Sequence, residues 1–203
     1  MPEPLEIIAY SDFLCPWCYN FTVRMRRLEG EFGDRIQIHW HTYLLRPEPR
    51  GKRDPERFRE YTRGWQRPAE EEDAGNFQTW TGENPPPSHS IPPHIVAKAA
   101  ETAGPTQARK VHDGLLVAYF SQSRDITNPE VLQKIWSDAG LTDGQFPNLA
   151  DSAAIEVVQR EHADAVALGL TGVPAARLAK NPAFVTGALP YAMYHRWVER
   201  HLV

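Results

Sequence analysis

The two cysteines of the chain stand as Cys15-Pro16-Trp17-Cys18, directly after the apolar run Leu5 to Tyr10. Two intervening residues let the first turn of a helix hold both sulfurs within bonding reach, the spacing a reversible dithiol–disulfide pair needs. With Cys15 as the cap and Pro16 as the first helical residue, proline's missing N–H costs nothing. The unpaired amides and the positive end of the helix then favour a thiolate at Cys15. Cys15 is accordingly expected to be the exposed, attacking sulfur and Cys18 the shielded one. Half of a zinc site is the rival chemistry. It would need two further ligands, and His39 and His41 on one face of a strand could supply them only on paper. Haem attachment fails because Tyr19, not histidine, follows Cys18.

These residues need a strand to deliver them and a helix to hold them. Leu5 to Tyr10 reads as a short buried strand, and Phe21, Val23, Met25, Leu28 and Phe32 fit a helix that ends near Gly33. Ile36 to Leu44 alternates as a second strand, completing a parallel strand–helix–strand unit. From Arg46 to Pro93 the chain is rich in proline, arginine and acids, predicting a long loop with short helices. Trp65, Phe77 and Trp80 in that stretch either line a substrate groove or pin the loop to the body. Helices are expected over Ser90–Gly104, Thr106–Phe120, Asn128–Gly140 and from Asp151 or Ser152 to Gly169, each with cap or proline signals. Ala175–Ala179 and Phe184–Thr186 flank the turn Lys180-Asn181-Pro182 as a hairpin, and a last helix starts near Pro190.

The 203 residues suit one domain with a sizeable insertion and a core large enough to leave the cysteines free for chemistry. A net charge of −4 gives no hint of nucleic-acid binding. The start Met1-Pro2-Glu3-Pro4-Leu5-Glu6 has neither the basic segment nor the apolar stretch of a secretory leader, and no run reaches membrane-spanning length. A cytoplasmic protein with no membrane or nucleic-acid partner is the expectation. Arg24, Arg26 and Arg27 read as a solvated helix face and Arg50 to Arg53 as a solvated loop. His39, His41, His89 and His94 read as surface or capping residues, and the acidic stretch Glu70 to Asp73 carries no reading.

The element order, with Cys-x-x-Cys after the first strand, resembles an α/β thioredoxin-like fold. The helical insertion between the second and third strands resembles the DsbA family. Within that family, Asp12-Phe13-Leu14-Cys15-Pro16-Trp17-Cys18-Tyr19 and Thr171-Gly172-Val173-Pro174 are similar to the FrnE-like branch, as are Leu44-Leu45-Arg46-Pro47 and Asp125-Ile126. The resemblance implies a discontinuous thioredoxin-like domain, 1–45 with 170–203, and a helical insertion domain, 46–169. It implies a thiol–disulfide oxidoreductase or isomerase with Cys15 and Cys18 catalytic, and with Asp12, Pro16 and Trp17 tuning the pair. Val173 and Pro174, joined by a cis peptide, would bind substrate by backbone pairing. No metal and no organic cofactor are implied. The partners are substrate thiols or disulfides and a recycling redox protein, with glutathione admitted as a co-substrate.

Two positions depart from the family pattern. Ala9 stands where a buried acid is expected, so Asp12, Glu6 or water must take its role. Trp17 replaces DsbA's histidine, which predicts a milder oxidant than DsbA. Two other functions share the pattern: a glutathione-dependent transferase or isomerase of the kappa-class or hydroxychromene carboxylate isomerase type, and a non-catalytic binding module. The first usually has serine in place of Cys15.

Overall fold

A computed structural model describes residues 3–51, 53–82 and 85–202. Met1 and Pro2 of the amino-terminal reading, and Lys52 of the Arg50–Arg53 run, lie outside the described residues. In chain order the elements are β1 (Leu5–Ser11), α1 (Pro16–Phe32), β2 (Ile36–Thr42), α2 (Pro55–Thr62), α3 (Gln66–Ala69), α4 (Ile91–Glu101), α5 (Pro105–Phe120), α6 (Pro129–Asp138), α7 (Ser152–Ala167), β3 (Ala175–Leu178), β4 (Val185–Thr186) and α8 (Tyr191–Glu199). The sheet runs β2-β1-β3-β4. β1 and β2 are parallel from Leu5↔Ile36 to Ser11↔Thr42, while β3 lies antiparallel on the other edge of β1 and β4 antiparallel on β3. This is the thioredoxin-like fold that the element order predicts.

The alternation of β1 sends side chains to two different layers. Ile7 and Ala9 meet Phe21, Met25 and Leu28 of α1 and Tyr194 and Val198 of α8 on one face. Ile8 and Tyr10 meet Ala165 and Leu170, at the end of α7 and just beyond it, on the other. The last helix between the second and third strands therefore covers the sheet directly. Its Glu161 accepts the Thr42 N–H at 2.8 Å and its His162 Nδ1 the Leu44 N–H at 3.1 Å, occupying donors at the end of β2. β2 stops at Thr42 because its partner strand β1 ends at Ser11.

The stretch between β2 and α4 holds α2 and α3, with Trp65 and Trp80 buried against Phe58, Tyr119 and Phe120 and Phe77 packed beside them. Of the two readings of these aromatics, the structure takes the one in which they pin the loop. Gly75 lets this loop close on α1, since a Cβ there would fall 2.4 Å from the Tyr19 ring.

The arginines of α1 differ from the solvated face expected of them. Arg24 is 1% exposed. It donates to Asp73 at 2.8 Å, Glu71 at 3.0 Å and the carbonyls of Ala188 and Leu189 at 2.7 and 2.9 Å. The acidic stretch that carried no reading thus supplies the counter-charges of a buried cation. Arg26 pairs with Glu29 and Asp113 and lies 5.3 Å over the Trp40 ring. Arg27 stacks 3.7 Å over Tyr191. Arg53 also departs from a solvated loop: it is half-buried, 4.2 Å over Phe58. His94, read as a capping or surface residue, is 4% exposed, its ring tilted against that of Phe13 at 4.7 Å.

Candidate active site

β1 ends at Ser11, and a single turn carries the chain into α1. Asp12 builds that turn: its carbonyl accepts the Cys15 N–H at 3.1 Å and its Oδ1 the Leu14 N–H at 2.6 Å. Cys15 is the N-cap of α1 with extended backbone (φ −95°, ψ 115°), and Pro16 follows as the first helical residue. No side chain caps this helix end, so its amides remain available to a charge on Cys15. Cys18 lies one turn on, its N–H donating to the Cys15 carbonyl at 3.0 Å.

Both cysteines are free thiols and both are buried. Cys15 is 5% exposed and Cys18 0%, so the order of access is as expected although Cys15 is more enclosed than an exposed sulfur would be. The Cys15 thiol donates to the Val173 carbonyl at 3.7 Å. Val173–Pro174 is a cis peptide, as the resemblance implies. The register explains the meeting: Ala175 pairs with Tyr10, so the residues just before β3 stand opposite the end of β1, where the dithiol turn begins. Pro16 and Trp17 are half-buried beside the pair.

Burial pushes the Cys18 thiol well above the usual thiol range, reinforced by Cys15 and by the charge of Asp12, with a hydrogen bond from the Asp12 amide working against them. Asp12 is 1% exposed. Its Oδ2 accepts the Leu45 N–H at 2.7 Å, tying the dithiol turn to the segment after β2. Burial raises its carboxyl to about 6, opposed by the neighbouring Ser90 hydroxyl, the amides of Leu14 and Leu45, and the Arg46 charge. Ala9 is buried among apolar neighbours, and Glu6 is exposed with its carboxylate 3.9 Å from His39. Of the side chains named as substitutes for the missing acid, Asp12 is the one beside Cys18. Sequence reasoning gave Ser90 and Arg46 no part in the site, although Arg46 belongs to the Leu44–Pro47 motif. The link runs through Leu45, more than thirty residues from Asp12, and no local pattern reports it.

His39 and His41 stand on β2 away from the thiols, His41 edge-on to Tyr10 at 5.6 Å. Among the described residues, no three His, Cys, Asp or Glu side chains converge as metal ligands would. A cavity of about 450 Å³ lies behind β2, walled by His94, Lys98 and His112, and neither cysteine borders it. Among the described residues, no helix is long and apolar enough to cross a membrane.

The sequence profile of the DSBA-like thioredoxin domain matches residues 6–198. The YwbO protein of Bacillus subtilis is 24% identical over 159 residues, 77% of each chain. A candidate protein disulfide isomerase from Nitrosomonas europaea superposes with a TM-score of 0.81 at 14% identity, covering 98% of this chain and 100% of that one. The cytosolic disulfide reductase DsbM of Pseudomonas aeruginosa superposes at 0.74 with 19% identity, covering 97% and 96%, and has also been solved with GSH.

Proposed function

The chain belongs to the DSBA-like thioredoxin domain family, and from that premise we propose that it is a thiol–disulfide oxidoreductase working through Cys15 and Cys18. The observation that carries the reading is the placement of Cys15. It caps α1, its sulfur reaches the Val173 carbonyl beside a cis-proline, and a second, fully buried thiol lies one turn away.

In the reducing direction, the Cys15 thiolate attacks a substrate disulfide. A Cys15–substrate disulfide forms and the first substrate thiolate leaves. Cys18 then loses its proton to the Asp12 carboxylate and attacks the Cys15 sulfur, forming Cys15–Cys18 and expelling the second thiolate. Two electrons have passed to the substrate, and an external dithiol restores the pair. Oxidation of a substrate dithiol reverses these steps, and isomerisation needs only Cys15. Asp12 suits its role because a carboxyl titrating near 6 is mostly ionised at neutral pH and sits beside a thiol that ionises reluctantly.

The same proposal places the chain in the FrnE-like branch, on the motifs around Asp12–Tyr19 and Thr171–Pro174. Pro16 and Trp17 tune the pair, and Val173 and Pro174 present backbone to an extended substrate. The work takes place in a reducing cytoplasm with glutathione or another thiol as co-substrate, a setting that DsbM's description as a cytosolic disulfide reductase supports. No metal or organic cofactor enters these steps. Cys15→Ser is expected to abolish exchange in both directions, and Cys18→Ser to accumulate a mixed disulfide with substrate, read by intact-protein mass. Exchange that survives Cys15→Ser would overturn the assignment.

A further inference from the structure

We propose that the cavity behind β2 is a second ligand site, for an uncharged planar aromatic whose edge carries a carbonyl acceptor beside an N–H donor, as an aromatic amide or lactam does. At about 450 Å³ the cavity falls within the size range of small-molecule sites. Neither cysteine borders it, so the site stands apart from the redox reading. One wall is β2 from Gln37 to Thr42, and α4 and α5 supply much of the other. The strand side is fixed in place. Lys98 of α4 donates to the Trp40 carbonyl at 2.6 Å, and Glu161 of α7 accepts the Thr42 N–H at 2.8 Å. Four lining side chains are rings in contact: the His112 centroid lies 4.3 Å from that of Trp40 and 5.0 Å from that of Phe13, and His94 lies 4.7 Å from Phe13. Such a wall suits a flat aromatic ligand.

Two features of the wall set the ligand's chemistry. The first is that its charges are used up within it. The three cations Arg26, Lys98 and Arg109 each lie within 4 Å of one of the three carboxylates Glu29, Glu101 and Glu161. A charged ligand finds no free counter-charge there and gains one only by breaking a pair. The second is that hydrogen-bonding capacity is left over. Trp40 Nε1, Thr42 Oγ1, His94 Nε2 and both ring nitrogens of His112 are buried with no hydrogen-bond partner, more than half of all such side-chain atoms among the described residues. Asp113 stands 3.5 Å from His112 Nδ1, which leaves Nε2 as the open side of that ring. Thr42, His94 and His112 are 1%, 4% and 6% exposed. Burial disfavours the imidazolium at both histidines, so each offers a neutral ring with one donor and one acceptor nitrogen. Trp40 can only donate. Buried polar atoms are as a rule paired, and a ligand that accepts from Trp40 and donates to an imidazole nitrogen pairs these. A carboxamide edge does both without charge. A carboxylate of the same shape cannot donate.

The test titrates three probes of like shape: benzamide; benzoate, which is charged and lacks the donor; and cyclohexanecarboxamide, which lacks the aromatic ring. The readout is the indole N–H region of the nitrogen-15 NMR spectrum, where the Trp40 signal is the one that Trp40→Phe removes. Benzamide is expected to move that signal saturably, with half-saturation at about 1 mM, within reach of so small a ligand. Benzoate should bind about tenfold more weakly or worse, and cyclohexanecarboxamide about fivefold more weakly. His112→Phe keeps a ring and removes both nitrogens, and should weaken benzamide by about fivefold. Ala108→Trp puts a large side chain into the wall and should abolish the saturable shift, with the remaining indole signals in their wild-type places showing that the variant is folded. The comparison of the three probes on the wild type depends on no variant. A Trp40 signal that does not shift saturably, benzoate or cyclohexanecarboxamide binding as well as benzamide, or a shift that survives Ala108→Trp overturns the proposal.

Discussion

The dithiol turn and the middle of α1 each bury one charged residue to the same extent, Asp12 and Arg24, both 1% exposed. Arg24 meets two carboxylates and two backbone carbonyls, so its charge is compensated and its donors are used. It ties α1 to the loop before Gly75 and to the segment before α8, and nothing about it invites chemistry. Asp12 is held by two amides with no cation in contact, and desolvation lifts its carboxyl to about 6. A buried charge with matched partners acts as a staple, whereas one with hydrogen bonds alone keeps a proton equilibrium within reach of neutral pH. Their neighbours differ in the same way. Beside Asp12 lie two free thiols, and beside Arg24 lie groups that do no more than compensate it.

The comparison predicts that the two residues fail differently when replaced. Arg24→Met strands Glu71 and Asp73 and should cost about 3 kcal/mol of stability, the range for breaking a buried pair. Denaturant titration reads this, and exchange activity per folded molecule should stay at the wild-type value. Asp12→Asn should do the reverse. One amide loses its acceptor, at a cost of about 1 kcal/mol, but the desolvated charge that lifts the carboxyl to about 6 goes with it, so stability at neutral pH should hold or rise. The step in which Cys18 attacks should slow by about 100-fold, within the range of general base catalysis. The pH profile separates this from a structural effect. A base titrating near 6 makes the wild-type step slow as the pH drops below 6 and level off above it, and that break should vanish in Asp12→Asn. If both variants lose stability equally and the break persists, the distinction between staple and base is wrong.

His94 sharpens the contrast with a smaller effect. Burial holds its imidazole well below the ordinary 6.5, and the charges of Lys98, His112 and His162 add to this. The unfolded chain takes up a proton near 6.5 that the folded one refuses. Stability from this group is therefore complete above 6.5 and declines as the pH falls, by about 1.4 kcal/mol per pH unit. Asp12 acts in the opposite sense below pH 6, so the readout is the difference between the wild type and His94→Phe, which keeps the ring against Phe13. The variant should lose less stability between pH 6.5 and 5, and parallel curves would remove His94 from the list of uncompensated groups.

Much of the scaffold was legible because its signals are local. The apolar run of β1, Pro16 after Cys15 and Gly33 with φ 55° place the first unit. Asn128 and Asp151 cap α6 and α7 through their own side chains. Cys15, Cys18 and the Val173–Pro174 pair were legible as short motifs, and Asp12 as an acid three residues before the first thiol. What stayed hidden depends on partners distant in sequence. Arg24 reads as solvated until Glu71 and Asp73 are brought to it, although its place on the stripe between Phe21 and Leu28 was a usable sign. Arg53 reads as loop because its support, the ring of Phe58, belongs to a core assembled from α2, α5 and the Trp65–Trp80 stretch. His112, buried behind β2, carried no local signal at all.

The most direct measurement is the redox equilibrium of Cys15 and Cys18 against glutathione buffers, with the free thiols counted by alkylation and mass. The expected result is a reversible two-electron transition in which both thiols disappear together, with a midpoint between about −270 and −120 mV, the span of related folds. If both thiols persist in the most oxidising buffer, or only Cys15 is modified, the pair does not exchange electrons as a unit and the oxidoreductase assignment is contradicted.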